Sequence, residues 1–189
     1  MELSWVTVAT PLPSGVMRFG VTADGVAVAS YAGDSFAGRP IGVPECTDER
    51  RRGLVTARVG EYFAGRRREL GLPLDWRFAS GPHRAVLQCL LAEVGYGRTI
   101  TYGELAARSG VFGGPSEPGV PARTVGQMMG ANPLPLLVPC HRVVAADGLG
   151  GFGGAWHGVE VKRWLLTLEG ALPATLDWDG PAGWDGPAG

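Results

Sequence analysis

The pair Cys140-His141 is the part of this sequence best suited to covalent chemistry. It closes an apolar run, LPLLVPC, and Pro139 fixes the backbone just ahead of the thiol. Cysteine attacks as its thiolate, and a free thiol of pKa about 8.5 is only a few per cent ionised at neutral pH. An imidazole that accepts the proton raises that fraction. Adjacent side chains usually point apart, so a water between sulfur and ring would carry the proton. The ring needs a partner on its other nitrogen to set its tautomer. Glu169, at the end of a C-terminal helical segment, is the candidate, giving a nucleophile–base–orienter relay of Cys140, His141 and Glu169. Upstream, the Asn132 side chain of Asn132-Pro133 can brace a strained turn. On the residues alone, a Cys-His pair is also often structural.

The segments that must position these groups follow from pattern. Residues 3–31 read as short strands, with a hairpin at Asp24-Gly25. Thr47 can cap a helix running to about Ala64, with Leu54, Val55, Val59, Tyr62 and Phe63 as its apolar set. Leu72 to Phe78 reads as a connecting or edge strand, limited by Pro73. Nothing in this half suggests chemistry. A break falls near Ser80-Gly81-Pro82. The next helix, HRAVLQCLLAEV, buries Val86, Leu87, Leu90, Leu91 and Val94, and its Cys89 reads as a core thiol. TYGELAARSG and ARTVGQMMGAN form two short helices around a Gly/Pro-rich connection, the pattern of a helix-turn-helix or of plain packing helices. The run ending at Cys140 reads as a strand. A last helix, roughly Val159 to Glu169, turns Val161, Trp164, Leu165 and Leu168 inward. The tail repeats WDGPAG twice, a composition expected to be disordered.

Bulk properties narrow the setting. The chain has 189 residues, enough for one domain or two small ones, and a net charge of −1. That charge does not exclude a nucleic-acid partner, which needs only local positive charge. Three cysteines make no disulfide framework. With no signal peptide and no run of 18 apolar residues, the expected setting is the cytoplasm, away from any membrane.

The block GANPLPLLVPCHRVV resembles the active-site signature of the O6-alkylguanine-DNA alkyltransferases, the methylated-DNA–protein-cysteine S-methyltransferases. TYGELA, ARTVG, GFGG and VKRWLLTLEG resemble further blocks of that family in the same order, over about residues 73–170. The resemblance implies an α+β fold with three parts. Residues 1–79 would be a ribonuclease-H-like α/β subdomain, 80–172 a mainly helical alkyltransferase domain with a helix-turn-helix, and 173–189 a disordered tail. It implies irreversible, single-turnover transfer of an alkyl group from O6-alkylguanine in double-stranded DNA to Cys140, by a monomer. O4-alkylthymine is a further candidate substrate.

It also implies roles by position. Cys140 accepts the alkyl group, His141 deprotonates it through a water, Glu169 orients His141, and Asn132 supports the network. Tyr102 donates to the departing base; on the residues alone it reads as a half-buried tyrosine capping a helix. Arg123 fills the gap left by a flipped nucleotide, with Ala122 beside it and Thr101 also on the DNA side; without the resemblance Arg123 is a solvated charge. Met129, Pro135, Val143, Phe152 and Gly153 line the base pocket, with Phe152 where many relatives carry tyrosine. No cofactor is implied, and Cys46, Cys89 and His83 lack zinc-ligand spacing. Loop 111–120 and the stretch AWHGVE are longer than the family pattern. Two other readings remain: a sensor that binds alkylated DNA without chemistry, whose known examples lack the acceptor cysteine, and a helix-turn-helix regulator that senses alkylation.

Overall fold

In a computed structural model the residues described are 3–32, 42–114, 117–151 and 158–174. Phe152, Gly153, the WDGPAG repeats and residues 115–116 of the long loop lie outside them. The fold is mixed α+β. It opens with an antiparallel meander of β1 (Ser4–Leu12), β2 (Gly15–Val21) and β3 (Val26–Tyr31), in that spatial order. The hairpin expected at Asp24-Gly25 joins β2 to β3, closed by Thr22 N–H donating to the Gly25 carbonyl at 2.8 Å. Glycine is needed at 25, because a Cβ there would meet the Pro73 carbonyl oxygen at 2.3 Å.

Helix α1 (Glu49–Phe63) packs on β1 and buries Val55, Val59, Tyr62 and Phe63. Its N-cap is Asp48 rather than Thr47: the Asp48 side chain accepts from Arg51 N–H, and its charge suits the positive end of the helix. Leu54, expected inside, is 44% exposed on the opposite face. Leu72–Phe78 is not a strand. It makes one bridge, Leu74 to Val26, then a 3-10 turn at Trp76–Phe78 capped by Asp75. Pro73 has no N–H to continue a ladder.

Helix α2 (Gly81–Glu93) buries Val86, Leu87 and Leu90, whereas Leu91 is largely exposed. The two-residue strand β4 (Ile100–Thr101) leads into α3 (Tyr102–Arg108), which packs against α4 (Val120–Gly130). β4 pairs in parallel with β5 (Val143–Val144), matching Ile100 with Val143 and Thr101 with Val144. Helix α5 (Gly158–Leu168) follows, with Val161, Trp164, Leu165 and Leu168 buried as expected. One hydrophobic core runs from the sheet through α1 and α2 to α5. Each of its fully buried Leu or Val side chains contributes about 1.5–3 kcal/mol by leaving water. No described helix is long and apolar enough to cross a membrane.

Candidate active site

The short β4–β5 ladder and the C-terminus of α5 bring the site together. Chain running from Asn132 to Cys140, expected as a strand, is instead a compact turn with prolines at 133, 135 and 139. Asn132 supplies bonds that a ladder would otherwise provide: Nδ2 donates to the Val138 carbonyl and Oδ1 accepts from Leu134 N–H, both at 3.0 Å. Leu136, at the turn's centre, holds φ 72°, a left-handed conformation costly for a branched side chain. The sheet supports the turn from outside, since Ala29 N–H donates to the Pro133 carbonyl at 2.8 Å. The turn delivers Cys140, His141 and Arg142 as one 3-10 turn, all three buried.

Glu169 follows α5 and is itself buried. Its Oε1 takes His141 Nε2 at 2.9 Å, so the expected pairing of these two side chains is present. The sequence reading missed three other donors. Arg142 grips the carboxylate with two nitrogens, Nε on Oε2 and Nη2 on Oε1, each at 2.9 Å. Tyr62, from α1, donates its hydroxyl to Oε1. Gly97 N–H donates to Oε2 at 3.2 Å, and a Cβ at Gly97 would press to 2.8 Å from the Glu169 carbonyl oxygen. The arginine directly after Cys-His was the one available signal, since a buried guanidinium requires a carboxylate. Tyr62 and Gly97 carry no local signal.

These contacts set protonation states. Burial disfavours a charged Glu169, but His141 and Arg142 hold its carboxyl well below the usual carboxylate range. Burial lowers the His141 pKa, outweighing the opposing pull of Glu169, so the ring is neutral at physiological pH. A neutral ring bonded to a carboxylate through Nε2 carries its proton on Nε2. Nδ1 is then the basic nitrogen, and among the described residues it makes no hydrogen bond.

On the other side of the site stand Tyr102 and Lys162. Tyr102, half-buried at the head of α3, donates its hydroxyl to the Gly151 carbonyl at 2.9 Å. Burial, and secondarily the charge of Cys140, raise its pKa. Lys162, the only lysine, is fully buried and donates Nζ to the Val143 carbonyl at 2.6 Å. Burial lowers its pKa to about 8, against the pull of Cys140. The sequence reading had no role for it.

The remaining expected positions divide. Met129, Pro135 and Val143 are buried near the turn. Arg123 is exposed on α4 with Ala122 half-buried beside it. Thr101 is the N-cap of α3 in a reciprocal capping box with Glu104. Cys140 itself is only 4% exposed, less open than a nucleophile facing a bound base would be. The rim residues Phe152 and Gly153 lie outside the described residues. A cavity of about 350 Å³ runs behind the turn, lined by Tyr62, Leu70, Leu72, Leu137, Pro139 and Arg142 among others, and not by Cys140. Among the described residues no cluster of three His, Cys, Asp or Glu could hold a metal ion.

Residues 82–171 match the profile of the 6-O-methylguanine DNA methyltransferase DNA-binding domain. A methylated-DNA–protein-cysteine methyltransferase of Methanopyrus kandleri is 47% identical over 95 residues, which are 50% of this chain and 63% of that protein. A DNA base-flipping protein of Thermus thermophilus is 44% identical over 126 residues, covering 64% of this chain and 77% of that protein. The structure of Mycobacterium tuberculosis OGT in complex with DNA superposes with a TM-score of 0.72 at 29% identity, over 88% of this chain and 92% of that one. The chain therefore belongs to the 6-O-methylguanine DNA methyltransferase family.

Proposed function

We propose that this chain performs direct-reversal DNA repair, moving an alkyl group from O6-alkylguanine in duplex DNA onto Cys140 in a single irreversible turnover. The observation that carries the reading is the buried imidazole beside Cys140: Nε2 is committed to Glu169 and Nδ1 is left basic. Nδ1 takes the thiol proton, through a water, and the thiolate attacks the alkyl carbon in line. An S–C bond forms, the C–O6 bond breaks, and guanine leaves with the electron pair. Tyr102 donates to the departing base as it gains a proton. Glu169, fixed by Arg142, holds the imidazolium formed in the step but does not itself accept the proton.

Two parts divide the work. Residues 1–79, a ribonuclease-H-like unit with its antiparallel meander and α1, support the site. Residues 80–172 carry the chemistry and present α3 and α4 as a helix-turn-helix. Arg123, with Ala122 beside it and Thr101 at the head of α3, faces DNA. A planar cation entering the stack offsets part of the few kcal/mol that extruding a base costs. Met129, Pro135, Val143, Phe152 and Gly153 surround the extruded base.

Incubation with duplex DNA labelled on the alkyl group of O6-methylguanine tests this. One label per protein on Cys140 is expected, none on Cys140→Ser, and no second turnover. Base flipping without chemistry is the second reading, favoured by the name of the Thermus relative. Binding of the damaged duplex with no label on the protein would establish it instead.

A further inference from the structure

The first half of the chain offers no nucleophile or base to the site, yet one of its side chains ends on Glu169. Tyr62 is the penultimate residue of α1, fully buried, and its hydroxyl donates to Glu169 Oε1 across 107 positions of sequence. Its ring is wedged edge-on between Phe63, 5.4 Å away, and Tyr96, 6.0 Å away, so it has little freedom to turn. Oε1 is the same oxygen that receives His141 Nε2. We propose that Tyr62 is a positioning residue for alkyl transfer: by donating to this oxygen it limits how strongly Glu169 draws charge onto His141, and so tunes the Cys140 thiol from the first half of the chain. The inference rests on the repair reading in taking Cys140 as the nucleophile.

The alternatives for Tyr62 are weaker on the geometry. The carboxylate would stay in place without it, because Arg142 holds both oxygens and Gly97 N–H holds Oε2. Anchoring is therefore already supplied, and what the hydroxyl adds is partial neutralisation of Oε1. A hydrogen bond to the ionised form of a carboxylate stabilises that form and makes it a weaker partner for a cation. Other charged or titratable groups act on the same cluster. Arg142 belongs to the 3-10 turn, Lys162 to α5, and Tyr96, with its hydroxyl on the Leu168 carbonyl, to the segment after α2. Arg68 lies over the Tyr96 ring. Of these, Arg142 shares Oε1 with His141 through a hydrogen bond from Nη2.

Removing the hydroxyl leaves Oε1 more anionic. The imidazolium–thiolate pair gains, and Cys140 ionises at lower pH. The test uses the full-length chain and iodoacetamide, whose reaction at Cys140 is followed by peptide mass against pH and needs no DNA. Tyr62→Phe is expected to move the midpoint down by about half a pH unit. Site-specific 3-fluorotyrosine at position 62, a stronger donor, is expected to move it up. A side chain that served only packing would move neither, since the fluorine hardly changes shape. The fluorinated protein also keeps the test decisive should Tyr62→Phe fail to fold. Unmoved midpoints in folded Tyr62→Phe and in the fluorinated protein overturn the role of Tyr62 and leave the repair reading standing. A wild-type Cys140 that iodoacetamide does not modify at any pH overturns both, since each reading needs a thiol there that can ionise and attack a carbon.

Discussion

On the Glu169 side of Cys140, a buried carboxylate is met by five donors: His141, Tyr62, two nitrogens of Arg142 and Gly97 N–H. On the Lys162 side, a buried ammonium donates to the carbonyls of Val143 and Gly151, and Tyr102 shares the second of these. The two sides handle buried charge differently. Glu169 is driven firmly into its ionised form by arginine and histidine. The hydrogen bonds described for Lys162 go to neutral carbonyls, and burial lowers its pKa to about 8 against the pull of Cys140. The first arrangement fixes geometry and protonation together, as an orienting group requires. The second leaves a cation whose charge responds to the thiol.

The largest effect on this comparison should come from Glu169→Gln. It strips the charge opposite Arg142 and presents an amide N–H where two donors already point. A loss of about 3–5 kcal/mol in stability is expected, the range for breaking a buried pair. Transfer to Cys140 should fall by about 100-fold, as for a lost acid–base relay. The pH dependence has a definite sign. The folded-state pKa of Glu169 is depressed, so its contribution is complete above the unfolded carboxylate range and drains as pH falls below it. Acid denaturation of wild type should show that loss and Glu169→Gln should not. Urea titration from pH 7 to pH 3 checks it, and parallel curves would refute the assignment.

Next in size is Lys162→Met. Removing a cation that interacts with Cys140 should raise the pH at which the thiol ionises by about one unit, opposite to the shift expected for Tyr62→Phe. Iodoacetamide profiles of the two variants test whether the sides act in opposition. A downward shift in Lys162→Met would break the comparison. In wild type the lowered lysine value means that stability is regained as pH rises through about 8 toward the unfolded value of 10.5.

What could be read from sequence follows the range of the interactions. Cys140-His141 are neighbours in the chain, and Glu169 follows an amphipathic segment, so the pairing of His141 with Glu169 was visible as pattern. Asn132 was visible because it acts within six residues, on Leu134 and Val138. Tyr62 was read as one more apolar position of α1, and its burial bears that out. Its hydroxyl depends on a residue 107 positions away, which no local pattern encodes. Lys162 sits among residues that face inward, where periodicity predicts an apolar side chain; the Val143 carbonyl and the Tyr102 ring are among the groups that receive its ammonium. LPLLVPC misled because an apolar run suits a buried strand, while its prolines forbid a ladder and Asn132 replaces one.

Away from the sulfur, Arg123→Ala separates extrusion from chemistry. Arg123 is exposed on α4. Transfer from damaged duplex should drop by about tenfold, a fraction of the cost of extruding a base. Transfer from a free O6-alkylguanine base should be unchanged, because nothing need be extruded. Equal losses on the two substrates would place Arg123 in the chemistry and out of the DNA interface.

The smallest effect is expected at Thr101, and it sharpens the comparison at its edge. Thr101 caps α3 through a reciprocal pair with Glu104: the hydroxyl accepts from Glu104 N–H, and the Glu104 carboxylate accepts from Thr101 N–H at 2.8 Å. The same residue pairs with Val144 in the ladder that sets Tyr102 beside Gly151. Thr101→Ala should cost about 1 kcal/mol of stability through the lost cap. Thermal melts measure that directly, and an unchanged melting temperature would show that the cap contributes nothing. DNA affinity measured on the same variant then decides its second role. A binding loss well beyond the stability loss means the hydroxyl itself meets DNA. A smaller one means that Thr101 serves the interface only by holding the first turn of α3, and with it Tyr102, in place.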